Sequence, residues 1–65
     1  MYNKMEIIYI HDKDNIEVID EFSGNTTLTV DQALELCGVD MDMYAEEKGW
    51  DGYDWNSIDI RFKEE

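Results

Sequence analysis

The sequence predicts an α+β domain: a small antiparallel three-stranded sheet with two short helices on one face, in the order β-β-α-α-β. Three observations predict it. Two β-rich segments flank the polar cluster His11-Asp12-Lys13-Asp14-Asn15, which suits a hairpin turn. Two stretches with helical apolar spacing each run from a capping side chain to a glycine. A closing segment alternates apolar and polar residues. Sixty-five residues give one mini-domain over 1–65, with no room for a second.

Met5-Glu6-Ile7-Ile8-Tyr9-Ile10 is rich in β-formers and predicts the first strand. Ile16 to Phe22 predicts the second, with Ile16, Val18 and Phe22 on one face and acids mostly opposite. Asp20 on that apolar face and Ile19 off it break the pattern. Ser23-Gly24-Asn25 closes the hairpin. Thr29, with Gln32 three residues later, forms a capping box, and Val30, Ala33, Leu34 and Cys37 then share a helical face. Gly38 ends that helix. Asp40 caps a second, Met41 to Lys48, with Met41, Tyr44 and Ala45 inward and Gly49 as its stop. Trp50 to Asn56 is an aromatic-rich loop. Ser57 to Phe62 alternates, so Ile58, Ile60 and Phe62 face inward, and Lys63-Glu64-Glu65 is expected to fray.

Composition sets the class. Cys37 is the sole cysteine, so no internal disulfide can form; a buried thiol in a reducing compartment is expected. Met1 to Lys4 leads directly into a strand, without a signal-peptide pattern, and Ile7 to Ile10 is too short an apolar run to cross a bilayer. Asn25-Thr26-Thr27 matches the glycosylation triplet, which carries no weight without secretion. Hydrophobic content of 43% and eight aromatics favour a folded chain. The expectation is a cytosolic, soluble mini-domain.

The charge is the feature that points to function. Seventeen acids against five bases give −12, a self-repulsion that a small core opposes poorly. Membranes and nucleic acid, both gripped by Lys and Arg, would be repelled. Between Asp31 and Asp59 nine acids face one base, Lys48, leaving −8. Asp31 and Glu35, and Asp42 and Glu46, are spaced i, i+4, which is mildly destabilising for like charges. Helix dipoles account for Asp31, Asp40 and Asp42 but not for Glu46, Glu47, Asp51, Asp54 and Asp59. Solvated surfaces usually intersperse both signs. An anionic face for a cationic partner is therefore expected. Carboxylates on rigid elements can occupy Arg and Lys sites built for phosphates, which lie about 3.4 Å apart axially along one strand.

Trp50, Tyr53 and Trp55 interleave with Asp51 and Asp54. Either tryptophan can plug a small core, which leaves Tyr53 as the expected exposed contact. Asp12-Lys13-Asp14-Asn15 begins like a calcium loop but lacks its glycine and its closing glutamate, so a turn is expected. One His and one Cys make no zinc set, no cofactor is expected, and His11 lacks a nucleophile partner. His11 is expected to sit in the turn, with Asp12 favouring its protonated form. An enzyme is not expected.

By size, acidity and mixed β/α pattern, with acids broken by Trp50, Tyr53 and Trp55 between Asp40 and Asp59, the chain resembles small acidic inhibitors of phages and mobile elements. These are the anti-CRISPR proteins and antirestriction DNA mimics. The resemblance implies a stoichiometric inhibitor docking in the basic channel of a host defence protein, such as a Cas effector or a restriction enzyme. Asp40, Asp42, Glu46, Glu47, Asp51 and Asp54 would meet its Arg and Lys, with Tyr53 as the central contact. The rival expectation is an interaction module or homodimer, using an exposed strand edge at Met5–Ile10. Monomer and homodimer both remain open.

Overall fold

The structure is a computed structural model that describes residues 3–24 and 28–63. The Asn25-Thr26-Thr27 triplet, Met1 and the Glu64-Glu65 end lie outside them. Two strands, β1 (Asn3–Asp12) and β2 (Asn15–Gly24), precede helices α1 (Val30–Cys37) and α2 (Met41–Lys48). A 3₁₀ turn, Trp55–Ser57, leads into β3 (Ile58–Phe62). The architecture is α+β, with an antiparallel sheet ordered β2-β1-β3.

β1 is the central strand, paired with β2 on one side and β3 on the other. The strand edge expected at Met5–Ile10 is therefore taken up within the sheet: Met5–Tyr9 pairs on both sides, and Ile10 on the β2 side alone. The edges are β2 and β3. Asp12 sets the hairpin turn: its carboxylate accepts from the Asp14 and Asn15 N–H groups at 2.8 and 3.0 Å and from the Asn15 side-chain amide at 2.9 Å. Carboxylates fold back this way on their own chain, and the turn reading holds.

One irregularity decides which side chains meet the helices. Ile7 stands opposite Asp20 while Ile8 stands opposite Val18, so Ile19 is an extra residue in β2. Such a bulge reverses the inside–outside alternation of the strand. Ile19 and Phe22 pack on the helix side, whereas Ile16 and Val18 emerge on the other face, 42% and 41% exposed. Grouping Ile16, Val18 and Phe22 on one face was thus incorrect beyond the bulge. Ile19 and Asp20, out of pattern in the sequence, mark its position.

The helices follow their local signals. Thr29 Oγ1 accepts from the Gln32 N–H at 3.2 Å, and Gln32 Oε1 from the Thr29 N–H at 3.0 Å, completing the capping box. Asp40 Oδ1 accepts from the Asp42 N–H at 3.0 Å, starting α2. Gly38 and Gly49 end the helices at φ 70° and 77°, a left-handed backbone that only glycine adopts cheaply. Ala33, Leu34, Met41 and Ala45 are buried, and Leu34 and Met41 cover Ile7, Tyr9 and Ile58. Ile58 and Ile60 face this core. Phe62 lies on the same side, at the sheet's end, but is half exposed. No helix among the described residues is long and apolar enough to cross a membrane.

Leu34 and Leu36 give a test of this packing, because they are neighbours on α1 that are 4% and 60% exposed. Leu34→Ala is expected to cost about 2–5 kcal/mol in urea denaturation. Leu36→Ala should stay within about 0.5 kcal/mol. Equal losses would contradict the assigned inward face.

Candidate functional site

The acids of the chain are sorted by layer. Asp31 and Glu35 are exposed on α1, Asp42, Glu46 and Glu47 on α2, Asp40 at its cap, and Asp51 and Asp54 in the loop that follows. With Lys48 as the single base, eight acids leave −7 on this layer. Asp59, counted with them in the sequence, sits opposite Ile8 and belongs to the other face of the sheet. Three of the five bases, Lys4, Arg61 and Lys63, are also on that other face. There Arg61 Nε donates to Glu6 Oε1 at 2.7 Å and Lys63 pairs with Glu21.

Within the acidic layer, α1 and the start of α2 enclose a groove of about 390 Å³. Leu34, Val39 and Met41 form its apolar lining, Asp31, Glu35, Asp40 and Asp42 supply carboxylates, and Tyr53 and Trp55 close it. None of those four carboxylates is ion-paired among the described residues. Tyr53 donates its hydroxyl to Asp42 Oδ1 at 2.8 Å, which raises the phenol above its ordinary pKa and keeps it neutral. Its ring meets Trp55 edge-on at 5.5 Å.

Of the residues expected in the site, Asp40, Asp42 and Tyr53 come together here. Asp54 lies beside them: its carboxylate caps the 3₁₀ turn through the Asn56 N–H at 2.9 Å. Its own N–H donates to the Tyr9 hydroxyl at 2.8 Å, tying the aromatic loop to the central strand. Glu46, Glu47 and Asp51 are exposed but outside the groove; Glu47 lines a neighbouring depression with Met43 and Tyr44. Tyr53 is half-buried against the core, so it is not the outermost aromatic. Among the aromatics of this loop that is Trp55, 51% exposed. Asp31, Glu35 and Trp55 join the site without having been expected there. Asp31 and Glu35 were counted in the acidic run and in an i, i+4 pair, and Trp55 among the loop aromatics, but neither signal specifies a neighbour.

Trp50 is the core plug. It is half-buried against Tyr9 and Tyr44, with ring centroids 4.8 and 5.6 Å away, and His11 meets it edge-on at 5.1 Å. Beside this stack Glu17 gathers three partners: the Tyr44 hydroxyl donates to it, His11 Nε2 lies at 3.4 Å and Lys48 Nζ at 3.7 Å. The Tyr44 bond holds the Glu17 carboxyl below its ordinary pKa. Burial, then this bond, pushes the Tyr44 phenol up to about 12. His11 therefore points to Glu17 across the hairpin and not to Asp12. Cys37 is half-buried, with its thiol raised by burial and then by the charge of Asp20.

Chemically, the groove suits a guanidinium. Carboxylates can pair with it in bidentate fashion, and the exposed Trp55 face adds a cation–π contact. No protein-family model matches this chain, and the searches of curated proteins and of solved structures found no match.

The Glu17–Tyr44 bond has a pH signature. Glu17, depressed in the folded state, contributes stability above the ordinary glutamate pKa of 4.5 that is lost as pH falls through and below it. Tyr44, raised from 10 to about 12, contributes stability that is complete below pH 10 and lost toward 12. In urea denaturation across pH, Tyr44→Phe is expected to shrink both the alkaline loss, of which the raised Tyr53 phenol keeps a part, and the acid one, relative to the natural chain. Parallel curves for the two proteins would contradict the coupling.

Proposed function

We propose that the chain is a stoichiometric, non-enzymatic inhibitor of a nucleic-acid-binding host defence protein, in the manner of anti-CRISPR proteins and antirestriction DNA mimics. It acts in the host cytosol and presents its helix-layer acids to a basic groove such as that of a Cas effector or a restriction enzyme. The observation that carries this reading is the charge of −7 on one layer, gathered on the side of the sheet opposite Lys4, Arg61 and Lys63. Solubility alone gives no reason to segregate charge by face. A partner lined with Arg and Lys does, because complementary potentials speed encounter and set orientation.

Two kinds of contact follow. Asp31, Glu35, Asp40 and Asp42 surround the groove, where an Arg of the partner would insert beside Trp55. Glu46, Glu47, Asp51 and Asp54 extend the anionic surface beyond it and meet further Lys or Arg. Trp55, with Tyr53 buttressing it, takes the central role that sequence alone assigned to Tyr53. Backbone caps fix Asp40 and Asp54, so part of the charge is held rigidly before any partner arrives.

Cleavage assays on a panel of purified Cas effectors and restriction endonucleases test the proposal. The natural chain should inhibit at least one of them at roughly one chain per active site, and less well as salt rises. Combining Asp42→Asn, Glu46→Gln, Glu47→Gln, Asp51→Asn and Asp54→Asn should abolish inhibition, and Trp55→Ala should weaken it about tenfold or more. Undiminished inhibition by the neutralised variant would show that charge mimicry is wrong.

A further inference from the structure

The sheet has two outer edges, β2 and β3, with no strand beyond either among the described residues. An open edge is a template for pairing with another chain. The alternation of the ladder fixes which backbone groups point outward. The Lys63 N–H donates to the Lys4 carbonyl at 3.0 Å, so these two residues bond toward each other. Counting by twos, Arg61 and Asp59 also bond toward β1, while Ile58, Ile60 and Phe62 turn outward. On β1, Met5 and Ile7 then bond toward Phe22 and Asp20 of β2, which turns Glu21 outward.

At each edge one outward N–H is already occupied by the side chain that precedes it. The Glu21 N–H donates to Asp20 Oδ1 at 2.8 Å, and the Ile60 N–H donates to Asp59 Oδ1 at 2.8 Å. Adjoining edge groups are occupied too. The Ile58 N–H donates to the Trp55 carbonyl, and the Cys37 thiol donates to the Glu21 carbonyl at 4.0 Å.

We propose that Asp20 and Asp59 are edge guards, each closing one side of the sheet to strand addition by a second copy of the chain. A strand arriving at β3 must displace the Asp59 carboxylate from the Ile60 N–H and then seat its own carbonyl beside that charge. The exchange replaces a charge-assisted bond by a neutral one. Asp20 imposes the same condition on β2, where the Ile19 bulge also interrupts the run of pairing groups. On β3 the strand is only five residues long, which limits what an added strand could gain. Neither acid belongs to the eight of the helix layer, so the proposal does not depend on the inhibitor reading.

Two double variants test it at high salt, where repulsion between the chains is screened. Asp20→Ala with Asp59→Ala and Asp20→Asn with Asp59→Asn each remove two charges, but only asparagine keeps an acceptor oxygen. In sedimentation velocity the alanine pair is expected to self-associate about tenfold more strongly than the asparagine pair. Amide hydrogen exchange of the natural chain needs no variant. Corrected for intrinsic rates, the Glu21 and Ile60 amides should exchange about tenfold more slowly than the outward amides of Ser23 and Phe62, two residues further along each strand. Equal association of the two folded pairs, or Glu21 and Ile60 amides that exchange as fast as Ser23 and Phe62, would each overturn the proposal.

Discussion

The structure depends on the double pairing of β1. A 65-residue chain cannot bury much, and this one must also oppose −12 of self-repulsion. Placing Met5–Tyr9 between two partners satisfies its backbone groups and makes it the platform on which α1 and α2 condense. Ile7 beneath Leu34 and Met41 supplies the centre of the core. Tyr9, at the end of that row, reaches past the core to accept the Asp54 N–H, so the aromatic loop is anchored to the same strand. The acidic layer is therefore built on rigid supports.

Those supports separate the charge. The helices pack on one side of β1, and their outward faces collect acids with little compensation. The opposite side receives Lys4, Arg61 and Lys63 with Glu6, Glu21 and Asp59, three cations and three carboxylates that balance. A single inserted residue, Ile19, moves Ile16 and Val18 to that neutral side and gives it an apolar centre. The molecule thus has one face of −7 and another whose charges balance. The strong imbalance of the sequence becomes a direction in space.

Features of short range were legible in the chain. Thr29 with Gln32, Asp40, Gly38 and Gly49 bounded both helices, because caps and left-handed stops depend on only a few neighbouring residues. Features set by pairing were not. The alternation in Ile16–Phe22 says nothing of where β1 will demand a bulge, and Asp59 took its side of the sheet only once β3 joined β1. Trp50 and Trp55 share one loop and similar neighbours; the Tyr9–His11–Tyr44 stack that chooses Trp50 draws on the hairpin and α2. For the site, Asp40, Asp42 and Tyr53 were legible from local density. Asp31 and Glu35 required the packing of α1 beside α2.

Nucleic-acid mimicry makes a demand that a merely acidic surface does not: the chain and the nucleic acid must occupy the same place. The most direct measurement is a competition on one target that the chain inhibits, with labelled duplex DNA monitored by fluorescence anisotropy and complexes counted by native mass spectrometry. The account predicts that DNA is displaced completely, at one chain per DNA site, and that no species holds both. A stable ternary complex of target, DNA and chain, with DNA affinity unchanged, would contradict it.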